Sequence, residues 1–171
     1  LSDAGLVYQC FHTSANGVPL NAEVNLKKFK IYFLDIGLAL RILGFQPSDL
    51  PKTQIIDLIN RGGVMEQFVC QELMSYTPKG SSPNIFYWHR EALNSSAEVD
   101  FIIQQGKRVV PVEVKSGSPR FSKSLKVFIE EKKSELAYYI SSEKSQIFQQ
   151  EKNKAIFNLA FYDLYKLKER L

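Results

Sequence analysis

Residues 98–115 read EVDFIIQQGKRVVPVEVK, two runs rich in β-branched and aromatic residues on either side of a glycine. Polar and apolar residues alternate in the first half of the first run (EVDF, 98–101) and in the second half of the second run (VEVK, 112–115), which is typical of strands. Gln105-Gly106 is predicted as a two-residue turn between the runs. Pairing on that turn makes Gln104 face Lys107. One face of the predicted hairpin is then wholly apolar, and it comprises Val99, Phe101, Ile103, Val110, Val112 and Val114.

The other face of this hairpin collects charge at one end. It carries Glu98, Asp100, Glu113 and Lys115. The predicted register puts Asp100 opposite Pro111, Glu98 opposite Glu113, and the Cβ atoms of Asp100 and Glu113 roughly 7 Å apart on a diagonal. Such carboxylates are costly to cover unless a cation or hydrogen bonds compensate, which favours a shared ion. The alternative is a solvated outer face, which is disfavoured because helices before and after the strands are expected to cover both faces.

A third acid comes from a helix predicted over about 64–76. Val69 and Leu73 lie three and seven positions after Glu66, so its carboxylate is aligned with the apolar stripe that faces the core. A glutamate on that stripe needs a partner. The alternative is a side chain at the edge of the stripe that reaches out to water.

Three carboxylates and one lysine suit the hydrolysis of a phosphodiester. Hard oxygen ligands select Mg²⁺ or Mn²⁺, and we expect Glu66, Asp100 and Glu113 to be the metal ligands. Such an ion activates water, polarises the phosphoryl group and stabilises the leaving oxygen. Lys115 lies two residues after Glu113 on the same face, where it can orient the attacking water or neutralise charge in the transition state. These four residues are the candidate catalytic set.

The other elements alternate between helix and strand. Residues 30–34 are predicted as a strand, and Asp35 as the N-cap of a helix over 36–43 that ends at Gly44. Further strands are predicted at 85–89, 136–140 and 155–159, and further helices at 53–60, 122–133 and 161–170. This order predicts an α/β fold with a mixed sheet. Pro111 interrupts a strand that this fold makes central, so either a bulge or a neighbour that pairs only beyond Pro111 is required.

The length and composition are typical of a single globular domain with a hydrophobic core. The chain has 171 residues, of which 44% are apolar, and a formal net charge of +4, which permits a polyanionic partner without requiring one. No run reaches the ~18 apolar residues of a membrane helix and no signal-peptide pattern is present, so we expect a cytoplasmic protein. Cys10 and Cys70 lack the spacing of a disulfide framework or a zinc site and are expected to be reduced.

Small and basic residues follow Lys115 and form a candidate nucleic-acid contact. Small side chains leave room for a substrate backbone, and phosphate contacts are expected from Ser116, Arg120, Lys123 and Lys126. The lysines of 27–30 could also touch phosphates, although a solvated start of a strand is favoured there. His89 is interpreted as a hydrogen-bonded residue at the end of a strand rather than a catalytic one.

The order of these motifs resembles known families. Glu66, Asp100 and Glu113-Val114-Lys115, on helix, strand and strand, resemble the PD-(D/E)xK nuclease superfamily. The longer run of 28–38 (KFKIYFLDIGL), 63–73 (GVMEQFVCQEL), 87–88 (YW), 98–101 (EVDF) and 112–117 (VEVKSG) resembles the uncharacterised C-terminal domain family that follows an AAA-type ATPase module and a winged helix in many bacterial and archaeal proteins. This resemblance covers nearly the whole chain.

The resemblance implies a restriction-endonuclease-like mixed sheet flanked by helices over 30–171. The turn residues at 14–19 predict that 1–29 form a β-hairpin left from a winged helix, or a linker. The resemblance also implies a metal-dependent nuclease-like domain that acts on DNA or RNA, C-terminal to an ATPase module in the same polypeptide. The Walker A pattern is absent from the sequence, so this chain itself is not expected to hydrolyse ATP. The alternatives are a non-catalytic module that binds nucleic acid or protein and regulates the ATPase, and a purely structural interaction domain.

Overall fold

The computed structural model describes residues 1–44, 62–77, 81, 83, 85–91, 96–117, 122–151 and 154–168. The strands are β1 (Val7–Thr13), β2 (Val24–Phe33), β3 (Phe86–His89), β4 (Glu98–Gln105), β5 (Arg108–Val114), β6 (Leu136–Ser141), β7 (Gln146–Glu151) and β8 (Lys154–Ala160). The helices are α1 (Ile36–Ile42), α2 (Gly62–Ser75), α3 (Lys123–Lys132) and α4 (Tyr165–Lys168), with short 3-10 turns at Leu20–Glu23 and Phe161–Asp163. None of the helices in the described part of the chain is long and apolar enough to span a bilayer.

All eight described strands belong to one mixed sheet in the order β2-β1-β3-β4-β5-β6-β8-β7. The pairs β1–β3, β5–β6 and β6–β8 are parallel, and the other four pairs are antiparallel. Helix α2 packs on one face of the sheet, and α3 packs on the other. The predicted α/β fold with a mixed sheet flanked by helices is therefore confirmed.

The β4–β5 hairpin turns at Gly106-Lys107, one residue later than predicted. Ile102 pairs with Pro111, so the predicted pairing of Asp100 with Pro111 is wrong by two residues. Gly106 has a φ of 59°, a left-handed conformation that favours glycine. A shift of two residues leaves each side chain on its face, because side chains alternate with a period of two. Continued by one residue, the observed register puts Glu113 directly opposite Asp100, neither diagonal to it nor opposite Glu98.

Because of a β-bulge in β4, Val99 lies on the opposite face of the sheet from the face predicted for it. Five members of the predicted apolar face pack in the cluster under α2, namely Phe101, Ile103, Val110, Val112 and Val114, but Val99 packs in the cluster under α3. The cause lies in the pairing with β3, where Phe86 pairs with Ile102 and Trp88 with Val99. Two residues of β4, Asp100 and Phe101, thus oppose one residue of β3, and the alternation of side chains is broken there.

Pro111 is accommodated by a neighbour that pairs only beyond it. Strand β5 pairs with β4 along most of its length, but its parallel ladder with β6 starts at Val112 and runs to Val114. Pro111, which has no amide hydrogen, therefore lies before the first residue of the β5–β6 ladder. This arrangement is one of the two that were predicted from the sequence, the other being a bulge.

The N-terminal hairpin is an integral part of the sheet. Strand β1 pairs with β2 and also, in parallel, with β3 through Phe11–Phe86 and His12–Tyr87. The predicted boundary between residues 29 and 30 falls inside β2 (Val24–Phe33), which pairs with β1 on both sides of an irregularity between Asn25 and Phe29. The origin of this hairpin in a winged helix stays a prediction.

Most remaining elements are confirmed with small changes in their bounds. Asp35 Oδ1 accepts a hydrogen bond from the Leu38 amide at 3.0 Å and caps α1 as predicted. Strand β7 was not predicted, because its glutamines give no alternation of polar and apolar residues. The helix predicted over 161–170 is a 3-10 turn followed by the short α4, and the helix predicted over 53–60 lies outside the described residues.

Two glutamines attach α2 to the end of β2 and to the start of α1. The side chain of Gln67 accepts from the Phe33 amide at 2.8 Å and donates to the Phe33 carbonyl at 2.7 Å, as a neighbouring strand would. Gln71, one turn later, accepts from the Ile36 amide at 2.8 Å. These bonds fix how α2 is rotated against the sheet, and so fix where Glu66 points.

We expect Gln67→Ala to destabilise the fold by about 1–3 kcal/mol, because it leaves two backbone groups of Phe33 without their partner. Urea unfolding of the two proteins measures this difference. The control is Gln150→Ala at an exposed position of β7, which should change the free energy of unfolding by less than about 0.5 kcal/mol. Equal effects of the two substitutions would contradict the proposed attachment.

Candidate active site

Glu66 lies in the first turns of α2 and faces the end of β2. The Tyr32 hydroxyl donates to Glu66 Oε2 at 3.3 Å, and Lys30 Nζ lies 3.8 Å from the same oxygen. The residues Val69 and Leu73 of the same helix are buried, as predicted. The carboxylate therefore has partners on the sheet side of the helix, although 29% of its side chain remains exposed.

Asp100 sits in the β4 bulge, where the β4–β5 ladder ends. Its Oδ2 accepts a hydrogen bond from the Val114 amide at 2.8 Å. Burial, followed by the charges of Glu113 and Glu66, raises the pKa of Asp100 to about 8. The Val114 amide and the Lys30 ammonium act in the opposite direction without cancelling this effect. At neutral pH this carboxyl therefore holds a proton when no cation is bound.

Glu113 is almost completely buried, and one of its carboxylate oxygens has no hydrogen-bond partner among the described residues. Its Oε1 accepts hydrogen bonds from Lys115 Nζ at 2.7 Å and from Ser122 Oγ at 3.0 Å. Its Oε2 is buried, and no group in the described part of the chain hydrogen-bonds it. An unsatisfied buried carboxylate oxygen costs free energy, so this atom marks a position where a further ligand would be stabilising.

Ser122 connects Glu113 to the start of α3. Its Oγ accepts from the Leu125 amide at 3.3 Å, as a helix N-cap does, and its own amide donates to the Tyr139 hydroxyl at 2.8 Å. The sequence indicated Ser122 only as the beginning of a helix. Its hydroxyl also donates to Glu113, which no local pattern signals, because the contact depends on how α3 returns to the sheet.

The structure brings the predicted catalytic residues into one neighbourhood. The charges of Glu66 and Glu113 both act on Asp100, and Lys115 contacts Glu113. We call Glu66, Asp100 and Glu113 the acid cluster. Its members come from α2, β4 and β5, so that three separate elements meet where the β4–β5 ladder ends.

The acid cluster suits a hard cation by the chemistry of its donors. Oε2 of Glu113 has no partner in the described part of the chain, and burial together with the charges of Glu113 and Glu66 raises the pKa of Asp100, so the described groups compensate the negative charge of the acids incompletely. Carboxylate oxygens are preferred ligands of Mg²⁺ and Mn²⁺. Among the residues described, however, no three His, Cys, Asp or Glu side chains form a ready metal-holding group. The assignment of Glu66, Asp100 and Glu113 as metal ligands stays a prediction.

Lys30 is a member of the site that the sequence analysis missed. Its Nζ lies 2.5 Å from Glu98 Oε1, besides its contact with Glu66. Burial acts to lower the pKa of Lys30, but the hydrogen bond that Lys30 donates to Glu98 and the charges of Glu66, Glu98 and Asp100 outweigh it and raise that pKa. The ammonium group is thus held charged among the acids.

The solvated start of a strand predicted at 27–30 holds for part of that segment only. Lys27 and Lys28 are exposed, whereas Lys30 is half-buried, so the prediction is wrong for Lys30. The available signal was alternation, since Lys30 lies two residues before the aromatic Tyr32 on the same face of β2. A lysine on the core side of a strand needs acidic partners, and these come from α2 and β4.

The predicted phosphate contacts lie partly within the described residues. Ser116 is half-buried just after β5, Lys123 is exposed as the first residue of α3, and Lys126 is exposed and 3.9 Å from Glu130. Arg120 lies outside the described residues. The role of these four residues in binding nucleic acid stays a prediction.

The raised pKa of Asp100 makes stability depend on pH. The folded protein keeps a proton on Asp100 up to about pH 8, whereas the unfolded chain loses it near the ordinary value of 3.8. The stability that this group contributes is therefore complete below the ordinary value and is lost as pH rises through about 8. Relative to Asp100→Asn, which cannot titrate, the wild type should become less stable between these limits.

Urea unfolding in EDTA at several pH values tests this expectation. The control is Asp3→Asn, which alters an exposed acid in the N-terminal turns and should follow the wild-type profile. Parallel profiles for the wild type and Asp100→Asn would contradict the protonated state of Asp100.

Comparisons with known proteins identify the family. The domain of unknown function DUF4143 matches residues 61–162, which include the whole acid cluster and Lys115. No curated protein matches the chain significantly, and no solved structure does so. Since the match covers more than half of its 171 residues, the chain belongs to the DUF4143 family.

Proposed function

We propose that this domain hydrolyses phosphodiester bonds of nucleic acid, with DNA as the first candidate substrate and Mg²⁺ or Mn²⁺ as cofactor. The observation that supports this most is the acid cluster with Lys115 hydrogen-bonded to Glu113 at 2.7 Å. The order Glu66, Asp100, Glu113-Val114-Lys115 is also that of the PD-(D/E)xK nucleases, to which we assign the domain. The buried free thiols of Cys10 and Cys70 accord with a cytoplasmic location.

Glu66, Asp100 and Glu113 would hold the cation through their carboxylate oxygens. When bound, such an ion lowers the pKa of a water ligand and stabilises charge that develops on the phosphoryl group. Asp100 has to release its proton before it can act as a ligand. Because its pKa is raised to about 8, cation binding should strengthen as pH rises towards that value.

Lys115 is the group best placed to act on the substrate. Its side chain is 32% exposed, while its ammonium is held by the buried Glu113. Its amide donates to the Ile140 carbonyl at 2.8 Å, which fixes the backbone where β5 ends. An ammonium that is held in place by Glu113 and is still partly exposed can neutralise charge in the transition state. Lys115 should therefore contribute to turnover more than to binding.

Affinity for the substrate should come largely from outside the acid cluster. Lys123 and Lys126 are exposed on α3, whose N-cap Ser122 contacts Glu113. The net charge of +4 provides few phosphate contacts, so binding by this domain should be weak and sensitive to salt. In this proposal a winged helix and an ATPase module in the same polypeptide supply the remaining affinity.

A non-catalytic module that regulates the ATPase by binding nucleic acid or protein is the second candidate. The observation that favours it is that the protein offsets much of the negative charge of the acid cluster without a cation. Lys115 pairs with Glu113, Lys30 contacts Glu66, and Asp100 holds a proton. Such a cluster could persist as a structural feature. Metal-dependent cleavage distinguishes the two candidates.

We expect Mn²⁺ to stabilise the folded chain, because a cation relieves the repulsion among the acids. At a hundredfold excess over the dissociation constant, linkage adds about 2.7 kcal/mol to the free energy of unfolding. Thermal unfolding in millimolar Mn²⁺ and in EDTA measures this effect. Asp100→Asn should respond much less than the wild type, and the exposed control Asp3→Asn should respond equally. An unchanged wild-type melting temperature would argue against the metal site.

We expect Lys115→Ala to reduce metal-dependent cleavage by about 10²–10³-fold, the usual effect of removing one group that stabilises the transition state. Binding of the same substrate should change little. Labelled duplex, single-stranded and branched DNA with Mg²⁺ or Mn²⁺ are the substrates, and the intact parent protein should cut more effectively than the domain. Lys107→Ala, on the exposed β4–β5 turn, is the matched control. Failure of the intact parent to cut any nucleic acid would leave the binding module as the function.

A further inference from the structure

Lys30 reaches two carboxylates from one position on β2. Its ammonium lies 2.5 Å from Glu98 Oε1 and 3.8 Å from Glu66 Oε2, and 5.3 Å from the centre of the Tyr87 ring. The side chain is 23% exposed. Screening by water is therefore reduced, and these contacts are stronger than those of an ion pair on the open surface.

The two acids that Lys30 contacts differ in their surroundings. Glu66 belongs to the acid cluster and is 29% exposed, whereas Glu98 stands at the start of β4 and is 42% exposed. The shorter distance is to Glu98. The ammonium can thus give up Glu66 and keep Glu98, which makes Glu98 a resting partner outside the cluster.

We propose that Lys30 is a tethered counter-cation of the acid cluster, which competes at Glu66 with an incoming divalent ion and withdraws to Glu98 when the ion is bound. This inference rests on the proposed metal site and adds a residue that sets the affinity of that site for the divalent ion. With the site empty, Lys30 offsets the repulsion between Glu66 and its acidic neighbours. Binding of a cation at Glu66 must then displace the ammonium, which weakens cation binding.

The proposal makes opposite predictions for two substitutions. Lys30→Met removes the competitor and should tighten Mn²⁺ binding about tenfold, which corresponds to about 1.4 kcal/mol. Glu98→Gln removes the resting partner, forces Lys30 to compete at Glu66, and should weaken Mn²⁺ binding. Lys28→Met is the matched control, because Lys28 is an exposed lysine of β2 that pairs with Glu91 at 2.6 Å. It should stay within about twofold of the wild type.

Titration calorimetry with Mn²⁺ and no nucleic acid measures all four proteins independently of catalysis. Tighter binding by Lys30→Met than by Lys28→Met supports the proposal, and equal or weaker binding overturns it while leaving the proposed function intact. Should Lys30→Met fail to fold, Glu98→Gln decides, since binding as tight as that of the wild type overturns the proposal. Absence of Mn²⁺ binding in every folded variant and in the wild type would overturn both this proposal and the metal site.

Discussion

The hydrogen bond from the Val114 amide to Asp100 Oδ2 joins β4 and β5 where their ladder ends, and the site depends on it. The β4 bulge directs Asp100 towards β5, so that its carboxyl takes an amide that a ladder partner would otherwise take. Beyond this point β5 continues beside β6. Val114 packs under α2, and Glu113 points to the N-cap of α3. Acids from both sides of the sheet therefore meet at one strand end.

Three acids held close together destabilise the folded chain, and several groups offset their negative charge. Lys115 and Ser122 satisfy one oxygen of Glu113, Lys30 and Tyr32 contact Glu66, and Asp100 keeps its proton. In this cluster, the buried Oε2 of Glu113 is the atom that no group in the described ranges hydrogen-bonds. Apolar packing on both faces of the sheet supplies the stability that tolerates such a cluster. A protein under selection for stability alone would place apolar residues at these positions, which is why we interpret the cluster as functional.

The sequence predicted most of the elements that carry Glu66, Asp100, Glu113 and Lys115, because those predictions rest on local alternation and helical spacing, whereas the catalytic role of the four residues stays a prediction. It did not predict the β4 bulge, which moves Val99 to the other face, because a bulge is set by pairing with β3, far away in sequence. The error in the turn shifted the register by two residues and so did not alter the face that carries Glu113. Lys30 and Ser122 were missed as site residues because their partners come from other elements. Alternation along β2 signalled that Lys30 lies on the same face as Tyr32, but the acidic partners of Lys30, like that of Ser122, become visible only when the fold is assembled.

The central claim is that the acid cluster binds a divalent cation, and anomalous scattering from crystals soaked in Mn²⁺ tests it most directly. We predict a peak within coordination distance of the carboxylates of Asp100 and Glu113, with Glu66 as a third ligand and Lys30 moved towards Glu98. In the same crystals, Oε2 of Glu113, which none of the described residues hydrogen-bonds, should face the ion. A map without a peak at the acid cluster, at Mn²⁺ concentrations that saturate known carboxylate sites, would contradict the account.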